Sequence, residues 1–102
     1  MGEKRYTVFL NVPLGRRKGI MVINESDGNV SGRLEIMNRE NPFSGRITAD
    51  GRLTVSGVIR TLISTVEYTA TGTLDEGKLF LKLKTASGAS YQVFGEELDT
   101  DE

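Results

Sequence analysis

The sequence of 102 residues contains no cysteine, no histidine and no tryptophan, and only two prolines. Without cysteine the chain can form no disulfide bond, no thiolate metal site and no thiol nucleophile. Without histidine it lacks the commonest general base and the commonest transition-metal ligand. These absences disfavour catalysis, so we expect no enzyme activity, no catalytic residue, no cofactor and no metal site.

An excess of charge of one sign and long apolar runs are also missing. The formal net charge is -1, which gives no general attraction to nucleic acid or to an anionic membrane. No apolar run approaches the ~18 residues that a membrane-spanning helix needs, and the N-terminal segment lacks the apolar core of a signal peptide. We therefore expect no membrane association and a cytoplasmic location, and nucleic-acid binding is disfavoured.

Apolar and polar residues alternate with a period of two along most of the chain, which is typical of strands with one buried and one exposed face. The pattern predicts eight strands, over residues 6–12, 19–24, 30–37, 43–48, 52–63, 66–74, 78–85 and 89–96. Their short connections predict an all-β, antiparallel up-and-down meander that forms a small closed or nearly closed barrel. One such domain covers residues 6–96, between an N-terminal extension (1–5) and an acidic, disordered tail (97–102).

The turns between strands carry glycine at a constant position. Three of them predict three-residue hairpin loops, a type I turn followed by a left-handed glycine: Ser26-Asp27-Gly28, Ala49-Asp50-Gly51 and Ala86-Ser87-Gly88. Asp75-Glu76-Gly77 predicts a tighter hairpin, and Asn41-Pro42 predicts the turn before the fourth strand.

These loop lengths fix which residues face each other across the predicted strands. The second glycine loop pairs Phe43 with Gly57, and the third pairs Leu81 with Val93. A two-residue turn after the fifth strand would pair Gly57 with Gly72. Both members of each pair fall on the predicted inner face, so loop lengths and alternation agree.

Five glycines occupy inner positions of the predicted strands. They are Gly32, Gly45, Gly57, Gly72 and Gly95. Each costs about 0.5–1 kcal/mol relative to alanine, so they need a compensating role. The favoured interpretation is that they let the strands coil until the sheet closes, with Phe43 filling the space beside Gly57. The alternative is that they leave room for a small apolar ligand inside the barrel.

A group of apolar side chains is predicted on the outer face of the barrel: Phe9, Met21, Phe80 and Phe94. In the same register Ile20 and Val22 face inward, and Met21 faces outward. An exposed apolar patch usually marks an interface, so we expect a homodimer and an interaction or structural role.

The meander also sorts charges between the two ends of the barrel. One end collects Arg16, Arg17, Lys18 and Arg39, followed by Arg60 and Lys84. The other end collects acidic residues of the remaining turns. The basic end is a candidate site for an anion such as phosphate or nucleic acid, although solvated turns are the favoured interpretation.

The meander with glycine hairpins and inward glycines resembles the calycin-type barrels, and the avidin-like ones most of all. The sequence segments SGRLEI, NPFSG and DGRLTVSG also resemble those of small uncharacterised bacterial proteins of this kind. The resemblance implies a barrel fold and no activity. Biotin-binding avidins surround their ligand with tryptophans, and lipocalins begin with a G-x-W motif. This chain has neither, so those functions are not implied.

Overall fold

The computed structural model describes residues 2–12, 15–36, 38–60 and 63–98, with backbone alone at residues 2 and 12. These residues form eight β-strands: β1 Gly2–Val12, β2 Gly15–Ser26, β3 Asn29–Ile36, β4 Arg39–Ile47, β5 Arg52–Arg60, β6 Thr65–Asp75, β7 Lys78–Thr85 and β8 Ser90–Glu97. This part of the chain contains no helix long and apolar enough to cross a membrane.

Each strand pairs antiparallel with the next one, and β8 returns to pair with β1. The predicted meander is confirmed, and the barrel is closed. β1 already begins at Gly2, so residues 2–5 belong to the barrel rather than to a separate extension. β8 ends at Glu97, and the Leu98 N–H donates to the Arg5 carbonyl over 2.8 Å. Residues 99–102 of the predicted tail lie outside the described residues.

The inner rows of all eight strands form one apolar core. It comprises Tyr6, Val8, Leu10, Met21, Ile23, Val30, Leu34, Ile36, Phe43, Leu53, Val55, Ile59, Tyr68, Ala70, Leu79, Leu81, Leu83 and Val93. Most of these are the residues that alternation assigns to the inner face. Burial raises the pKa of Tyr68 to about 12, so its hydroxyl stays protonated at physiological pH.

The structure corrects the prediction for β2. Met21 and Ile23 point inward, opposite the inner residues Leu34 and Gly32 of β3. The reason is the hairpin before β3, which has two loop residues and not three. Ser26 pairs with Asn29, and Asp27 has a φ of 55°, as in a type I′ turn. A one-residue change in register turns every side chain of a strand to the opposite face.

Val22 consequently lies on the outer face, yet it is 0% exposed. It stands between Arg5 on β1 and Arg33 on β3. Arg33 donates from Nε to Glu35 Oε2 over 2.6 Å, and Arg5 lies 3.5 Å from Glu3. We infer that the aliphatic stems of these arginines cover Val22, since such stems bury apolar surface while the charged ends stay hydrated.

The five predicted inner glycines do lie on inner rows, and their missing side chains mark where neighbouring strands approach closely. A Cβ atom built at Gly32, Gly45 or Gly72 would lie 1.8 Å from a carbonyl oxygen of the adjacent strand. At Gly57 and Gly95 the nearest atoms, at 2.6 and 2.8 Å, also belong to neighbouring strands. The space that a side chain would need is therefore already occupied by protein.

Large side chains stand beside these glycines. Phe43 lies between Gly32 on β3 and Gly57 on β5. On its other side Gly57 pairs across the strands with Tyr68 on β6. This alternation of small and large residues around the barrel is a common way to fill a narrow interior. The predicted filling of Gly57 by Phe43 is confirmed.

Asn41 and Pro42 lie inside β4, whereas the sequence predicted a turn there. β3 instead ends at Ile36 and β4 begins at Arg39, and Asn38 just before β4 has a φ of 62°. Beyond Phe43 the β4–β5 ladder stops, and the fully buried Asn41 carboxamide bridges the gap. Its Nδ2 donates to the Leu34 carbonyl over 3.1 Å, and its Oδ1 accepts the Arg60 N–H over 2.9 Å.

The connection between β5 and β6 also differs from the prediction. Arg60 pairs with Thr65, so the loop has four residues, of which 61–62 lie outside the described residues. Gly57 accordingly faces Tyr68 and not Gly72. The register differs by four positions, an even number, and therefore every side chain keeps its predicted face.

Candidate functional site

A row of three phenylalanines crosses the outer face of the barrel at its closure. Phe9 on β1 pairs with Phe94 on β8, which in turn pairs with Phe80 on β7. All three are in outward positions, because the residues before and after each of them lie on inner rows. We call Phe9, Phe94 and Phe80 the aromatic row.

The aromatic row is open to solvent over much of its length. Phe80 is 38% exposed and Phe94 43% exposed, and their ring centroids are 5.2 Å apart with planes tilted by 43°. Phe9 is half-buried, and the guanidinium carbon of Arg16 lies 5.4 Å from its ring centroid. Cross-strand aromatic contacts stabilise a sheet, but aromatic rings exposed to this degree are more typical of an interface.

Charged residues flank the aromatic row on the side of the acidic end. There Glu96 on β8 faces Lys78 on β7 and Thr7 on β1. Although Glu96 and Lys78 are opposite each other, no ion pair within 4.0 Å joins them in the described part of the chain. On the other side of the row Lys82 faces Gln92.

The predicted interface residue Met21 does not belong to this surface. It is 3% exposed and packs in the core, as a consequence of the two-residue hairpin before β3. The other three predicted interface residues form the aromatic row, so three strands contribute to it and β2 does not.

The residues of the predicted basic end lie around the mouth of the barrel where β1 ends and β2 begins. Arg16 and Lys18 are in outward positions, whereas Arg17 and Arg39 are on inner rows. A surface depression beside Lys18 and Arg39 is also lined by Glu35 and Glu40, and carboxylates weaken the attraction for an anion. Anion binding stays a prediction.

The core side chains occupy the middle of the barrel, where an apolar ligand would have to bind. Such a ligand would displace buried residues such as Leu81 and Val55, which are 2% and 1% exposed. The hypothesis of an apolar ligand therefore also stays a prediction.

Comparison with known proteins gives no relative. No family model, no curated protein and no solved structure matches this chain. The resemblance to avidin-like and other calycin-type barrels accordingly stays a prediction.

One set of residues with functional chemistry was missed at the sequence level. Glu25, Glu97 and Lys4 are the last residues of inner rows at the mouth of the barrel where β1 begins and β8 ends. We call this end the acidic mouth. All three fell outside the predicted strands, and Glu25 was counted only among the acidic residues of the turns at this end. Asp27-Gly28 is a sequence typical of a two-residue type I′ loop, but Asp50-Gly51 lies in a three-residue loop of the same barrel, so the dipeptide alone does not place Glu25.

Proposed function

We propose that this protein is a non-enzymatic interaction module that forms a homodimer through the aromatic row. The observation that carries the proposal is the continuous line of aromatic side chains across β1, β8 and β7, with two rings about two-fifths exposed. Burial of such rings is among the strongest contributions to protein association.

The charges beside the row favour a second copy of the chain as the occupant. A two-fold interface brings the same surface of both copies together. We consider a two-fold axis that runs parallel to the strands, over the outer face between β7 and β8. This axis places Phe94 of one copy against Phe80 of the other. The same operation places Glu96 against Lys78 of the second copy, twice per dimer. Opposite charges therefore meet on the flank of an apolar contact, as in specific interfaces.

Sedimentation velocity tests the proposal. We expect wild-type protein to be a dimer and Phe80→Glu to be a monomer, because two buried glutamates would lack partners. Thr69→Glu is the matched control, since Thr69 is an exposed outer-face residue of β6 away from the row. A monomeric wild type, or a Phe80→Glu variant with unchanged sedimentation, would contradict the proposal.

A charge-exchange experiment tests the axis. Glu96→Lys and Lys78→Glu should each weaken the dimer, because each places like charges across the axis. Mixed together, the two variants should form a heterodimer in which both intermolecular pairs are restored. Within each variant chain, positions 78 and 96 still carry two like charges. The rescue can therefore come only from contacts between the two chains. Failure of the mixture to associate would contradict the proposed axis.

A further inference from the structure

The acidic mouth of the barrel, where β1 begins and β8 ends, is a depression of about 670 Å³. Its floor is apolar and includes Ile23, Ile47 and Leu74 from β2, β4 and β6. Ile23 is buried in the core, and Ile47 and Leu74 are partly buried against it. The mouth thus offers an apolar base at the end of the inner rows.

Carboxylates surround this base. Glu25 and Glu97 end inner rows of β2 and β8, and Glu3 and Glu76 also line the mouth. Among the described residues that line it, Lys4 is the single cationic side chain, with its Nζ 4.0 Å from Glu97 Oε2. Negative charge therefore predominates, and it is distributed around the mouth.

A buried hydroxyl opens into the same depression. Tyr6 is 2% exposed and lines the mouth, and no hydrogen bond to its hydroxyl occurs among the described residues. No polar side-chain atom in this part of the chain is sealed from solvent without a partner, so the hydroxyl must face the mouth. It is held there by a ring packed in the core, ready to contact a ligand.

The titration of Tyr6 agrees with this geometry. Burial raises the pKa of Tyr6, and the negative charges of Glu97 and Glu25 raise the pKa further. The hydroxyl therefore lies within the field of both carboxylates and stays protonated at neutral pH.

The arrangement favours an extended organic cation over a metal ion. Metal ions need several ligand atoms at one point, and the described residues hold no group of three acidic side chains that could bind one. A linear polyamine instead carries ammonium groups separated by methylene segments. Its charges can reach separated carboxylates while its methylenes contact the apolar floor.

We propose that the acidic mouth is a binding site for a linear aliphatic polyamine, with Glu25 and Glu97 receiving ammonium groups and the Tyr6 hydroxyl contacting the bound chain. The site lies at one end of the barrel, whereas the aromatic row lies on its outer wall. Loss of either activity would therefore leave the other measurable.

Spermidine titration followed by NMR chemical shifts tests the proposal with the full chain. We expect saturable binding, with shifts centred on the mouth. The double variant Glu25→Gln/Glu97→Gln should weaken binding by about tenfold or more, because each charged hydrogen bond contributes strongly. Tyr6→Phe should also weaken it. Urea unfolding of each variant establishes that the barrel is intact.

The matched control is Glu40→Gln/Glu67→Gln, which removes two exposed carboxylates at the opposite end. It makes the same change in net charge and should leave the affinity within about twofold, since exposed charges far from the site are screened. Equal weakening by both double variants would overturn the proposal. Unchanged binding by Tyr6→Phe, or equal binding of the neutral 1-hexanol at the mouth, would overturn it as well.

Discussion

Gly32 shows what the inner glycines contribute at the scale of a single residue. The carbonyl oxygen of Val22 and the ring of Phe43 occupy the space beside its Cα. A Cβ atom added to Gly32 would lie 1.8 Å from that oxygen and 3.1 Å from the ring. The contact at 1.8 Å is with backbone, which cannot rotate away as a flexible side chain can. Even a methyl group would therefore have to separate β2 from β3.

We predict that Gly32→Ala destabilises the barrel by about 2 kcal/mol or more, as overpacking does. This outcome opposes the usual effect in a strand, where glycine to alanine stabilises by about 0.4–1 kcal/mol through the unfolded chain. Urea unfolding gives the free-energy change. Ser31→Ala, at the neighbouring exposed position, should change stability by less than about 0.5 kcal/mol. A neutral or stabilising Gly32→Ala would show that the strands can move apart easily.

At the scale of strands, the length of each hairpin loop determines the register of the two strands that it joins. Loop length therefore explains which predicted strand pairs are confirmed. The loops at residues 49–51 and 86–88 have the predicted three-residue form, and the pairs Phe43–Gly57 and Leu81–Val93 are confirmed. Residues 20–23 read Ile-Met-Val-Ile. Four consecutive apolar residues have no alternation that could reveal a one-residue error, so the mistaken loop length turned β2 over.

The two three-residue hairpins share one hydrogen-bonding scheme. In the first, Thr48 Oγ1 donates to Asp50 Oδ1 and accepts the Arg52 N–H over 3.0 Å. In the second, Thr85 Oγ1 contacts Ser87 Oγ over 3.0 Å and accepts the Ala89 N–H over 3.1 Å. A hydroxyl or a carboxylate can therefore fill the same position, but the carboxylate makes the first hairpin sensitive to acid.

We predict an acid-dependent contribution of Asp50 to stability. The Thr48 hydrogen bond, with smaller contributions from a backbone hydrogen bond and from the charge of Arg52, holds the Asp50 pKa below its ordinary value of 3.8. A depressed pKa in the folded state gives stability that is present above pH 3.8 and is lost as pH falls through the folded pKa. NMR titration of the carboxyl carbon measures this pKa directly, and Thr48→Val should return it towards 3.8.

Asp50→Ser supplies the matched comparison, because it copies the second hairpin. This variant should keep the loop and lose the acid-dependent part of the unfolding free energy below pH 3.8. An Asp50 pKa that stays low in Thr48→Val would assign the shift to another cause and contradict the role of the hydroxyl.

Closure of the barrel is the property of the whole molecule on which both proposed surfaces depend. Only the pairing of β8 with β1 places Phe9 beside Phe94, and it also brings Tyr6 opposite Glu97 at the mouth. Alternation predicted the three phenylalanines of the row because outward residues in regular strands are read directly. The meander predicted acidic turns at the other end, but it could not show that Lys4 and Glu97 line the mouth, because both continue their strands beyond the last apolar residue of each.

Circular permutation tests closure directly. We predict that a linker of about six glycine and serine residues, joining Leu98 to Glu3, allows new chain ends between Ser87 and Gly88 without loss of the fold. In the closed barrel Leu98 is hydrogen-bonded to Arg5, so the linker is long enough. In an open eight-stranded sheet the edge strands would be roughly 34 Å apart, whereas six residues reach about 21 Å.

Amide NMR spectra and urea unfolding of the permutant give the result. The spectrum should match that of the original chain except near the linker and the new ends, with a cooperative transition. The matched control opens the linked chain between Thr69 and Ala70, in the middle of β6. That variant should unfold, because the cut interrupts pairing with both β5 and β7. An unfolded first permutant would contradict the closed arrangement, and with it the continuous aromatic row and the complete acidic mouth.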